Sequence, residues 1–137
     1  MIKLLFAALL SLPGLAAAQE DLTKIYSDAL AQWRDGRPED AAGALKYVVY
    51  RSSGEALNSA ALLDLAVLLA EAGKNSEALA YLIKGEILAP GDFYIQFEKG
   101  WNLLGLEKYQ EARAAFEKAI TLTGDQDLAS QARGSPL

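Results

Sequence analysis

Two carboxylates, Asp64 and Glu98, hold matching places 34 residues apart in the chain. Paired carboxylates can divide acid and base work in hydrolysis, or hold a hard cation through oxygen ligands. The rest of the residue inventory gives that chemistry no support. The chain has no histidine and no cysteine. Ser-His and Cys-His nucleophiles, imidazole acid–base catalysis and zinc sites of the usual ligand types are therefore excluded. The glycines sit singly at expected helix ends and build no phosphate-cradling loop. Acidic residues at helical spacing are ordinarily solvated surface. The expectation is a protein that is not an enzyme, with no cofactor and no metal.

Charge narrows the partners further. Across 137 residues there are 13 basic and 18 acidic side chains, a formal net charge of −5. The acids are spread in ones and twos, as on solvated helix faces, and the bases do not cluster. A nucleic-acid or anionic-membrane surface needs clustered Lys and Arg. Neither partner is expected here.

The first residues have a different character. Met1-Ile2-Lys3 is a short positive start, Leu4 to Leu15 is apolar apart from Ser11, Pro13 and Gly14, and Ala16-Ala17-Ala18 precedes the polar Gln19-Glu20-Asp21. This is the three-part form of a cleaved secretory signal, residues 1–18, with Gln19 opening the mature chain. The apolar run is shorter than the roughly 20 residues of a membrane span, so stable insertion after cleavage is not expected. The absence of cysteine leaves no lipoprotein anchor. The reading is a periplasmic protein if the source is a Gram-negative bacterium, and a secreted one otherwise.

The remaining chain must supply the elements that position any site, and its apolar periodicity is helical throughout. A first helix is expected over Asp21 to Asp35, with Ile25, Tyr26, Ala29, Leu30 and Trp33 at three- and four-residue spacing and Gly36 as its stop. Pro38, Glu39 and Asp40 suit the first turn of the next helix, which carries Ala41, Ala44, Leu45, Val48 and Val49. Glu55 to Ala72 is apolar around most of its circumference, as in a helix buried on several sides. Asn75 is the expected cap of a helix running to about Leu88, and Pro90-Gly91 closes it. Asp92 is the expected cap of Phe93 to Leu104, Gly105 the break before a helix over Lys108 to Leu122. A short tail helix over Asp127 to Arg133, facing the last pair through Leu128 and Ala132, would act as a cap ahead of a frayed end.

The organising stretch is Ser59 to Asp92, because moving it forward by 34 residues brings it into register with Phe93 to Gln126. Ala66 falls on Gly100, Ala78 on Ala112, Leu82 on Phe116, Gly85 on Ala119 and Pro90 on Gly124. Small residues meet small ones and bulky apolar residues meet bulky ones, the mark of stacked units. The run from Glu107 to Leu122 resembles the second half of a tetratricopeptide repeat, whose pattern includes A-x-x-x-F, a small residue and a terminator. Ala112, Phe116, Ala119 and Gly124 take those roles, as do Ala78, Leu82, Gly85 and Pro90 one unit earlier. Leu62, Leu65, Ala66 and Leu69 form the first half of that earlier unit. A first unit, residues 22–55, matches less closely: Ala29, Gly36, Ala41 and Leu45 fit, but Asp28 and Gln32 stand where apolar residues belong. The resemblance implies an all-α, right-handed superhelical array of three antiparallel helix pairs, at about 22–55, 59–92 and 93–126, with 127–137 as cap and tail.

The resemblance also implies a concave groove lined by one stripe of each first helix. Carried over, that stripe is Tyr26, Leu30 and Trp33; Leu63, Val67 and Ala70; and Tyr94, Phe97, Trp101 and Leu104, with Asp64 and Glu98 beside it. Family members that clamp a peptide's terminal carboxylate use Lys, Arg and Asn there. The apolar side chains and the two acids of this chain do not fit that role. Two readings remain. The groove accepts an apolar or mixed apolar-basic segment of a protein or peptide partner, or the stripe is filled internally or by a second copy in a homo-oligomer.

Overall fold

The computed structural model describes residues 13–134 and residue 136. Seven helices follow one another: α1 (Pro13–Arg34), α2 (Pro38–Arg51), α3 (Glu55–Glu71), α4 (Asn75–Leu88), α5 (Phe93–Gly105), α6 (Tyr109–Thr121) and α7 (Gln126–Arg133). Among the described residues there is no strand. No helix among them is long and apolar enough to cross a membrane, and no group of acidic side chains is arranged to hold a metal ion. Contacts divide the chain into two compact units, one ending at Ser52 and the other running from Ser53 to Leu137.

In the first unit α1 packs on α2. The core here is Ala29, Ala41, Leu45 and Val48, all without exposed surface. Helix α1 begins at Pro13, well ahead of the expected start near Asp21. The physical reason is local: proline is tolerated in a first helical turn, and the alanines at 16–18 have the highest helix propensity of any residue. Beyond Gly14 no glycine or proline follows until Gly36. Residues 1–12, most of the expected signal, lie outside the described residues. Asp28, which departs from the repeat pattern, is on the outside and pairs with Lys24 at 2.7 Å.

The second unit holds two helix pairs and the tail helix, with α3 on α4, α4 on α5, α5 on α6, α6 on α7, and α3 also touching α5. The repeat register is directly visible in its packing. Leu62, Leu65, Ala66 and Leu69 of α3, and Ala78 and Leu82 of α4, are buried. So are Leu103 of α5 and Ala112, Phe116 and Ala119 of α6. Gly85 and Gly100 are two close-approach positions: a methyl on Gly85 would meet Ile95 at 3.3 Å, and one on Gly100 would meet the Phe116 ring at 2.7 Å. Glu86 of α4 binds Lys99 of α5 at 2.7 Å and Lys118 of α6 at 3.4 Å, tying three helices together. The Lys99 hydrogen bond holds the Glu86 carboxyl below its ordinary pKa against the opposing effect of burial, with Gln96 and the Lys118 charge adding to it. The tail helix α7 starts on an Asp125 cap, and Ala132 and Leu128 pack with Phe93, Ala119 and Ile120.

The turns inside the three helix pairs are copies of one another. The backbone N–H of Arg37 donates to Gln32, that of Lys74 to Leu69 and that of Lys108 to Leu103, each at 2.9 Å. This is the helix-ending bond of a Schellman turn, which places the preceding residue in the left-handed region. Gly36 and Gly73 hold that place with φ of 79° and 77°, and Glu107 holds it in the third turn with φ of 60°. The expected break at Gly105 is therefore corrected. Gly105 is still helical and the break is at Glu107, because backbone hydrogen bonding sets the turn and a non-glycine residue is forced into it. Asn75 is corrected likewise. It is the first residue of α4, no side chain caps that helix, and its amide lies against Gly105.

Candidate partner-binding surface

Helix α5 carries the largest share of the candidate surface. Asp92 fixes its start as expected, its Oδ1 accepting from the backbone N–H of Tyr94 at 2.8 Å and of Ile95 at 3.4 Å. Such a cap satisfies amides that would otherwise lack partners and sets the rotation of the first turn. From there Phe93, Phe97 and Trp101 recur every fourth residue and share a face. Phe93 and Phe97 stack with ring centroids 5.4 Å apart. Phe97 meets Trp101 edge to face at 6.3 Å. Tyr94 meets Phe93 edge to face at 5.3 Å.

A residue of α6 supports this ladder from below. Phe116 lies edge to face with Phe97 at 6.0 Å and with Trp101 at 5.5 Å. The small-residue position Gly100 gives it passage. Phe116 is itself buried, whereas Trp101 is 40% exposed and Tyr94 51% exposed.

The other second-unit stripe residues follow the same rule. Leu63, Val67 and Ala70 of α3 and Phe97 and Leu104 of α5 are half-buried. Their neighbours Leu62, Leu65, Ala66, Leu69 and Leu103 are buried. These stripe side chains keep part of their surface exposed, as do Ile83, Ile87 and Tyr109 outside the stripe. Tyr26, Leu30 and Trp33 of the first unit are also half-buried on α1.

Asp64 and Glu98 lie half-buried beside the stripe. Burial pushes the Glu98 carboxyl above its ordinary pKa, and the negative charge of Glu71 pushes it further. Glu71 ends α3 and so adds a third acid near this edge of α5, one that the 34-residue comparison of Asp64 with Glu98 does not pick out. Asn102, one turn beyond Glu98 and buried, donates its amide to the Glu98 carbonyl at 3.0 Å. Phe93 and Phe116 were also absent from the expected set. The i, i+4 spacing of Phe93 and Phe97 was a sequence signal for the first, but the second approaches from a different helix.

A family model described as a tetratricopeptide repeat-like domain matches residues 16–133. The chain belongs to the tetratricopeptide repeat-like family. Among curated protein sequences, none matches this one. Solved structures of the family's fold do match. PcrH of Pseudomonas aeruginosa superposes with a TM-score of 0.76 at 19% identity, covering 83% of this chain and 87% of that one. The type III secretion translocator chaperone SycD of Yersinia enterocolitica gives 0.75 at 19% identity over 84% and 87%. The first tetratricopeptide domain of Spaghetti, solved with an HSP90 peptide, gives 0.73 at 13% identity over 83% and 89%. At these identities the likeness is one of fold, and it places this tetratricopeptide-like chain in the all-α class expected from its repeats. PcrH has also been solved with the chaperone-binding region of PopB, and SycD with a peptide of the translocator YopD.

Proposed function

We propose that this chain is a non-enzymatic protein-interaction module whose second unit binds an apolar segment carrying Lys or Arg. The observation that carries the reading is the half-exposed aromatic ladder of α5, with Trp101 and Tyr94 in solvent contact and their ring neighbours fixed beneath them. Large aromatic side chains with few rotatable bonds are the usual anchors of interfaces. The acids Asp64, Glu71 and Glu98 beside it favour a basic segment over an acidic one. Peptide complexes of PcrH, SycD and Spaghetti support the class of function. The SRMEEVD sequence of the Spaghetti ligand is acidic, and the acids here disfavour a ligand of that charge.

We also read residues 1–18 as an export signal, supported by Lys3, the apolar run and the three alanines before Gln19. Cleavage there would shorten α1 to begin at Gln19. Intact-mass measurement of exported protein tests this, with retention of Met1 to Ala18 as the contrary result.

The binding test uses short synthetic peptides of one apolar pattern with Lys, Ser or Glu between the apolar residues, titrated against the protein. The Lys peptide should bind most tightly. Trp101→Ala should weaken it about thirtyfold or more, the scale of a hot spot costing about 2 kcal/mol, while the fold survives. Equal affinity for all three peptides, or for Trp101→Ala and the native chain, removes the reading. A dimer in sedimentation that dissociates on Trp101→Ala would assign the stripe to a second copy instead.

A further inference from the structure

Phe116 has almost no surface of its own, yet it touches two members of the exposed ladder. It belongs to α6, and its access to α5 is through the one position where a methyl group would stand 2.7 Å from its ring. The equivalent pair one unit earlier is Ala66 with Leu82, where the small residue is larger and the bulky one has no ring. The third unit therefore has less volume on its first helix and more on its second, with an aromatic edge under Trp101 and Phe97.

We propose that Phe116 is a positioning residue of the binding surface. It sets the orientation of the Trp101 indole and the Phe97 ring before any segment arrives. The inference rests on the groove reading above. Phe116 acts only through those two rings, because it is buried and presents no face to a partner. Its ring is 82° from the indole plane and 73° from that of Phe97. Edge-to-face contacts of this kind favour one orientation over free rotation. A ladder held in its bound orientation loses less conformational freedom on binding, which raises affinity without adding a contact.

The test compares Phe116→Leu with Leu82→Val, a change at a buried position of α4 outside the cluster that holds Phe116, which controls for lost stability. Trp101 emission and near-ultraviolet circular dichroism are read in a Trp33→Phe background, so that Trp101 is the sole indole. Affinity for the Lys-bearing apolar peptide is read in the otherwise native chain. Phe116→Leu should alter the Trp101 signals in the free protein and weaken the peptide about threefold to tenfold, the scale of fixing one or two side chains. Leu82→Val should change neither. If Phe116→Leu leaves the Trp101 signals and the affinity unchanged while Trp101→Ala still weakens binding, the positioning role is overturned and the groove stands. If Leu82→Val weakens the peptide as much as Phe116→Leu does, the effect is stability alone and the role is again overturned. Absence of peptide binding by the native chain overturns the groove reading, and this inference with it.

Discussion

Gly100 and Phe116 should behave as one unit in a double-mutant cycle. In Gly100→Ala the added methyl carbon would lie 2.7–2.8 Å from three atoms of the Phe116 ring. Carbon atoms pack at about 3.5–4.0 Å, so the ring must withdraw by roughly 1 Å. It has little freedom to do so, being buried and flanked by Phe97 and Trp101. Overpacking of this kind costs about 1–3 kcal/mol, against a gain of up to about 1 kcal/mol from replacing glycine by alanine inside a helix. The expected net is a loss of up to about 2 kcal/mol. Gly43→Ala in α2, where a methyl meets nothing within 4 Å, should instead give the propensity gain alone. Phe116→Leu should cost about 1–2 kcal/mol by leaving space beside Gly100. The double variant Gly100→Ala, Phe116→Leu reproduces the Ala66 and Leu82 pair, both buried in the preceding unit. It should therefore be more stable than the sum of its parts by about 1 kcal/mol or more. Urea unfolding followed by far-ultraviolet circular dichroism measures all four corners. Additivity within about 0.5 kcal/mol would show that the methyl and the ring do not compete, and the close-approach argument would fail.

Ala112→Leu should overpack a position with no exposed surface and cost about 1–3 kcal/mol, whereas a change at exposed Glu117 should cost little; equal effects would disprove the repeat register. Glu107→Gly should raise the urea midpoint, because glycine adopts φ of 60° without steric penalty. The relieved steric cost, about 1–2 kcal/mol, exceeds the added freedom of the unfolded chain, about 0.4–1 kcal/mol; a lower midpoint refutes the strained turn. Glu98 has a folded pKa raised above its ordinary value of 4.5. Its protonation therefore favours the fold: that contribution is full below the ordinary value and is lost as pH rises through the folded pKa. Glu98→Gln should stabilise the protein at neutral pH and lose that advantage in acid, while weakening the Lys-bearing peptide; a stability gain independent of pH refutes the buried charge.

The helices, their order and their repeat register were legible in the sequence because each rests on local spacing. Apolar residues at three- and four-residue intervals mark a helix face wherever it occurs, and Asp92 acts as a cap through amides only two and three residues away. The small residues Gly85 and Gly100 could be found because the 34-residue shift aligns them with Ala119 and Ala66. The turn was misplaced where local chemistry and backbone bonding disagree. Glycine at 105 signals a stop, but the bond from Lys108 to Leu103 puts the left-handed residue at Glu107. Similarly, Asn75 had the composition of a cap without the geometry of one. What only the tertiary structure decided is which side chains meet across helices. Phe116 and Trp101 are 15 positions apart on different helices, and their 5.5 Å contact depends on how closely α5 and α6 approach at Gly100. The same holds for Glu71 acting on Glu98, and for Glu86 joining Lys99 to Lys118. Periodicity along one helix names the face that turns inward. The distance between two helices is set by the volumes of the side chains packed between them, and that is decided only when the pairs close on each other.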